Sequence, residues 1–97
     1  MYKLMNIELS VSDKKLNCLN VVKTLIKCNI EANVTQNVTT ICNAKKCWIE
    51  NGCTIKTTLK NKEEIKNLWH TLEYKYQLNC AHININNEFN GCIKKYF

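Results

Sequence analysis

The chain of 97 residues contains no arginine, no proline and only two glycines. All fourteen of its basic residues are lysine. Arginine supplies the planar fork that reads guanine and phosphate bidentately, so a basic chain without it is a weak candidate for sequence-specific nucleic-acid readout. No apolar run approaches the ~20 residues that a membrane-spanning helix requires. There is no strand-turn-helix nucleophile elbow, no glycine-rich phosphate loop and no Cys-x2-Cys pair of the kind used by structural zinc sites. The N-terminus, Met-Tyr-Lys-Leu-Met-Asn-Ile-Glu-Leu, interrupts its apolar residues with polar ones and does not read as a secretory signal.

What is present is skewed toward Lys, Asn and Ile, the residues of A- and T-rich codons. Arg, Pro and Gly mostly need G or C. The skew points to an AT-rich genome such as that of a virus, a parasite or a low-GC bacterium. A formal charge of +6 steers a protein toward anionic partners. The lysines are dispersed along the chain, however, which suits general solubility better than a binding stripe.

Seven cysteines are many for this length, and the number is odd. Without a signal peptide the simpler reading is a reduced intracellular protein, cytoplasmic or carried in a virion, whose thiols pack as small apolar residues. A secreted disulfide scaffold would leave one thiol over. Asn33-Val-Thr35 and Asn37-Val-Thr39 match the glycosylation pattern, as an Asn-rich chain does by chance.

The length allows one small domain, residues 1–97. From Leu4 to Val11 the pattern alternates, placing Met5, Ile7, Leu9 and Val11 on one face of a half-buried strand. Ser12 or Asp13 then offers an N-cap for a helix running to about Asn29, a plausible left-handed C-cap. Cys18, Val21, Val22, Leu25 and Ile26 share its buried face. Val, Thr and Ile over residues 30–43 favour an extra strand or a small hairpin. A second helix begins at Asn61, with Glu64 three residues on as in a capping box. Ile65, Leu68, Trp69, Leu72 and Tyr76 follow at helical spacing, and Trp69 reads as core. Asn79 is the expected C-cap. Cys80 to Asn86 alternates again, with Ala81, Ile83 and Ile85 inward. Asn90-Gly91 then suggests a turn into a short terminal strand through Ile93 and Tyr96.

The strongest local signal is Asn51-Gly52 between alternating apolar residues, which predicts a hairpin over residues 47–59. A two-residue loop sets Trp48 beside Ile55. A three-residue loop, Glu50-Asn51-Gly52, pairs Ile49 with Cys53 and separates apolar from polar more cleanly. The second register is preferred and leaves Trp48 on the more exposed face. The element order predicts an α+β domain of the ferredoxin-like βαββαβ type: an antiparallel sheet, two helices on one face, an extra strand near 30–43 and a short C-terminal strand.

Three chemistries are weighed against this frame. For metal, Cys42, Cys47, Cys53, Cys80, His82 and Cys92 lack zinc spacing, and two ligands on one strand do not hold the ion, so neither metal nor cofactor is expected. For catalysis, Cys80 with His82 and Glu8 is the one nucleophile-and-base arrangement the order suggests, and no carboxylate pair is placed for acid–base work. An enzyme is not expected. For RNA, domains of this architecture stack bases on aromatics of two central strands. Here Asn6, Glu8, Ser10, Thr54, Lys56 and Thr58 hold the outward positions.

What remains is a non-enzymatic protein-binding or assembly module, a viral structural or host-interacting component by its AT-rich coding, favouring a protein partner or self-association and not a membrane. Nucleic-acid binding through dispersed lysines and Trp48 on the open sheet face is the alternative. The candidate binding residues are Trp48, Thr54, Lys56, His82 and Tyr96.

Overall fold

Alternation makes β1, Met5–Asp13, the centre of the sheet. Ile7, Leu9 and Val11 are buried on one face, while Asn6, Glu8 and Ser12 are exposed on the other. The computed structural model describes residues 4–13, 15–78 and 81–97. After β1 come α1 (Cys18–Lys27), β2 (Asn33–Cys42), β3 (Cys47–Leu59), α2 (Lys62–Tyr76), β4 (His82–Ile85), β5 (Phe89–Cys92) and α3 (Ile93–Tyr96). The result is a mixed α+β fold with a five-stranded sheet, ordered β2-β3-β1-β4-β5, in which every neighbouring pair is antiparallel.

The inward side chains of the central strands, among them Leu9, Ile55 and Ile83, form one buried cluster. Val21 and Leu25 of α1 join it, as do Ile65, Leu68, Trp69 and Leu72 of α2, so both long helices cover the same face. Each fully buried Leu or Ile contributes about 1.5–3 kcal/mol relative to exposure.

The hairpin expected at Asn51-Gly52 does not form. β3 passes straight through both residues, which pair with Asp13 and Ser12 of β1 and with Val38 and Asn37 of β2. Gly52 is there for close backbone approach: a Cβ at this position would lie 3.2 Å from the Val11 carbonyl oxygen. Neither loop register applies, and the segment expected as an extra strand is β2, the true hairpin partner of β3. The turn lies at residues 43–46. The Asn43 amide donates to Lys46 O (2.9 Å), and Asn43 Oδ1 accepts from the amides of Lys45 (2.9 Å) and Lys46 (3.1 Å). Asn90-Gly91 also lies within a strand, β5; the preceding turn uses Asn86 (φ 53°) and Asn87 (φ 60°) in the left-handed region. Long-range pairing outweighs local turn preference because β3 gains a ladder on each side, nine residue pairs with β1 and ten with β2.

Helix boundaries shift for similar reasons. Since β1 holds its ladder to Asp13, the N-cap of α1 is Asn17, whose Oδ1 accepts from the Leu19 amide (2.9 Å). Thr24 is buried, its hydroxyl 3.1 Å from that of Tyr76, while Ile26 is exposed, contrary to the expected face. Asn29 is left-handed (φ 59°) as expected. Asn61 caps α2 through Glu64 N (2.9 Å), and the Glu64 carboxylate accepts from the Lys60 amide (2.7 Å). The left-handed residue after α2 is Gln77 (φ 53°); the expected cap, Asn79, lies outside the described residues. The terminal strand stops at Cys92, and residues 93–96 form a single helical turn.

The thiols are not the reduced packing groups expected. Cys18 is bonded to Cys53 and Cys42 to Cys47, and Cys92 is also in a disulfide. Cys28 is the free cysteine among the described residues and is exposed. The first bridge ties the start of α1 to the middle of β3. Among the described residues no helix is long and apolar enough to cross a membrane.

Candidate functional site

With both long helices on one face, the opposite face of the sheet is open and polar. Register aligns its side chains in cross-strand rows. One row runs Asn33, Lys56, Glu8, Asn84, and the next Thr35, Thr54, Ser10, His82. Glu8 on the central strand therefore stands between Lys56 and Asn84.

From this face a groove of about 1090 Å³ curls around the sheet toward the C-terminal half of α1. That volume is slightly larger than the range typical of small-molecule sites, roughly 300–1,000 Å³. One side is apolar, with Val22, Leu25, Ile26 and Ile30. The other carries Glu8, Glu31 and Glu88 together with Asn6, Asn33, Asn84, Asn86 and Asn87. Among the described residues, three carboxylates, Glu8, Glu31 and Glu88, line the groove against one lysine, Lys56. A patch of negative sign in a chain of charge +6 is a local field that attracts cations.

The walls are fixed by hydrogen bonds. The Asn6 amide donates to Asn86 Oδ1 (2.7 Å) and the Asn86 amide returns to Asn6 O (2.9 Å), closing the end of the β1–β4 ladder. The Asn87 amide donates to Asn84 Oδ1 (3.0 Å), and Asn84 Nδ2 to Asn87 Oδ1 (3.2 Å). Thr57 Oγ1 donates to Glu31 O (2.7 Å), tying the loop before β2 to β3. The groove is thus held open by the fold itself, with little ordering left for a ligand to impose.

Of the residues singled out from the sequence, Thr54, Lys56 and His82 lie together on the open face, and Lys56 lines the groove. Thr54 accepts a hydrogen bond from Asn37 Nδ2 (2.7 Å). His82 borders a smaller basin above Gly52, with Ser10, Ser12 and Thr39. Trp48 stands six residues from Thr54 along β3, about 20 Å away at strand rise. It is half-buried outside the core, and its indole N–H donates to Glu50 Oε1 (3.2 Å). Tyr96 belongs to another region. It packs on Phe89 (5.3 Å between centroids), with Lys62 Nζ 4.8 Å from its ring centre. Cys80 of the Cys80–His82–Glu8 arrangement lies outside the described residues. Among the described residues no three His, Cys, Asp or Glu side chains gather as a metal site would need.

Sequence reasoning missed Glu31, Glu88 and the asparagines of the groove. Their signal is present, since Asn84, Asn86, Asn87 and Glu88 crowd one short stretch, but local pattern assigns asparagines to caps, turns and outward strand positions and does not bring these together in one groove.

No protein-family model matches the chain, and no curated protein sequence matches it. Among solved structures it is similar to a phage SAM lyase in complex with S-methyl-5'-thioadenosine, with a TM-score of 0.63 and 12% sequence identity. The match covers 93% of this chain and 88% of that one. At this identity the likeness shows the fold alone, and the link to a virus is the phage origin of that neighbour.

The comparison corrects the expectation of a non-enzymatic binding module, with its nucleic-acid alternative, because the neighbouring fold is that of an enzyme. The expectation rested on missing elbows, phosphate loops and carboxylate pairs. Those devices serve particular chemistries on particular folds, and their absence does not bar catalysis from another site.

Proposed function

We propose that the groove binds a cationic small molecule and that the chain is a lyase acting on S-adenosylmethionine. The bond broken lies between the sulfonium sulfur and the amino-acid side chain. Its electron pair stays on sulfur, S-methyl-5'-thioadenosine leaves as a neutral thioether, and the carbon it leaves bonds to an oxygen of the substrate's own carboxylate, closing the amino-acid fragment to a lactone. Because a sulfonium is its own leaving group, such a reaction depends on orientation and electrostatics more than on an enzymic nucleophile.

The observation that carries this reading is the excess of carboxylates in the groove of a basic chain. Glu8, Glu31 and Glu88 would hold the sulfonium and ammonium charges, and Lys56 the substrate carboxylate. Val22, Ile26 and Ile30 offer an apolar wall to the adenine, and the asparagines offer amides to the ribose. A ferredoxin-like βαββαβ fold belongs to the same proposal. It is supported by β1 lying between β3 and β4, the order of a split crossover, with β5 added at the edge. An intracellular setting also goes with this reading, with the disulfides as its counter-indication.

The test is incubation of the purified chain with S-adenosylmethionine and chromatography of the products. We expect time-dependent release of S-methyl-5'-thioadenosine, reduced about 100-fold or more by Glu8→Gln and unchanged by Glu63→Gln on the exposed start of α2. Release no faster than in buffer, or equal release by the Glu8→Gln variant, would refute the proposal.

A further inference from the structure

We infer that the projecting end of the β2–β3 hairpin is an arm that docks on an anionic phospholipid surface, an inference independent of the groove. The last row β3 shares with β1 is Asn51–Asp13. Beyond it four rows, Thr39–Glu50 to Cys42–Cys47, continue as a two-stranded ribbon, about 13 Å long at ~3.4 Å per residue.

This ribbon carries apolar side chains on both faces, among Thr39, Thr40 and Glu50, whose carboxylate is held by the Trp48 indole N–H. Ile49 (60% exposed), and Val38 (62% exposed) in the sheet row at the base of the ribbon, lie on the side facing the helices, where no helix reaches them. The cross-strand pair Ile41–Trp48 lies on the other. The Cys42–Cys47 bridge staples its end, and the turn bears Lys45 and Lys46, both exposed, with Lys46 Nζ 5.9 Å from the centre of the Trp48 ring.

One flat protein partner would cover one face of such a ribbon and leave the other in water. A lipid interface surrounds it. Aromatic rings settle at headgroup level, and lysines reach lipid phosphates while their stems stay in the apolar layer. Two strands alone do not satisfy all their backbone groups, so the arm rests in the hydrated headgroup region and does not span. The paired lysines at its tip, in a chain of charge +6, select anionic over neutral lipid.

The chain carries its own probe, because Trp69 is buried (2% exposed) and a change in tryptophan emission on docking reports Trp48. The experiment titrates the full chain with phosphatidylglycerol vesicles and, separately, with phosphatidylcholine vesicles at low salt. We expect a blue shift with the first only, and a partition coefficient lowered about tenfold or more by Lys45→Glu with Lys46→Glu. Unchanged near-ultraviolet dichroism of Trp69 would show that this variant is folded. No shift with anionic vesicles would overturn the inference, as would a shift that survives the double charge reversal. A concentration-dependent mass without lipid that abolishes the shift would assign the arm to a second copy of the chain instead.

Discussion

Strand β3 runs through two environments, and its two ends have opposite characters. From Asn51 to Lys56 it is flanked by β2 and β1, and β1 accompanies it on to Leu59, under a roof of helices; Cys53, Ile55 and Leu59 are buried. From Cys47 to Glu50 it has only β2 beside it, and Ile49 is exposed. The chain's two tryptophans mark the contrast. Trp69 on α2 lies in the core, whereas Trp48 lies on the arm outside it. Similar residue types are used in both places. Burial is set by how many neighbouring elements reach the residue, not by its own hydrophobicity.

The sharpest test of the comparison is truncation of both tryptophans. Trp69→Ala is expected to lower stability by about 3–5 kcal/mol in a denaturant titration; a loss below ~1 kcal/mol would remove it from the core.

The bridges come next. Cys18–Cys53 spans a sequence separation of 35 within the body and Cys42–Cys47 one of 5 at the arm. By chain entropy, replacing the first pair with Ser should cost about 4 kcal/mol and the second about 2 kcal/mol. Thermal unfolding of the two double variants gives the order, and an equal or reversed order would mean that the arm is not the looser region.

The smallest effect is expected from Trp48→Ala, below ~1 kcal/mol. A larger drop in the denaturant midpoint would mean that the arm is packed against the body.

Much of the architecture was legible where a residue pattern repeats. Alternation at Met5, Ile7, Leu9 and Val11 located β1, and the spacing of Ile65, Leu68, Trp69 and Leu72 located α2 and its buried face. What misled was single-site turn chemistry. Asn51-Gly52 carries a strong turn preference, yet it sits inside a strand paired on both sides, while the less conspicuous Asn43-Ala-Lys-Lys46 makes the turn. The groove was legible only in part. Glu8 and Lys56 were placed on the outward face by alternation, but Glu31 and Glu88 come from separate loops that approach the open face only after the sheet is assembled.

The sequence by itself determined β1, α1 and α2 and the inward faces of β1 and α2, since local periodicity sets which side chains can be buried together. It also set the scarcity of arginine, proline and glycine. Only the tertiary structure decided that the turn lies before β3, which cysteines meet and which carboxylates share a groove. Those outcomes depend on pairing between residues far apart in the chain, and a ladder along a whole strand outweighs the preference of any one dipeptide within it.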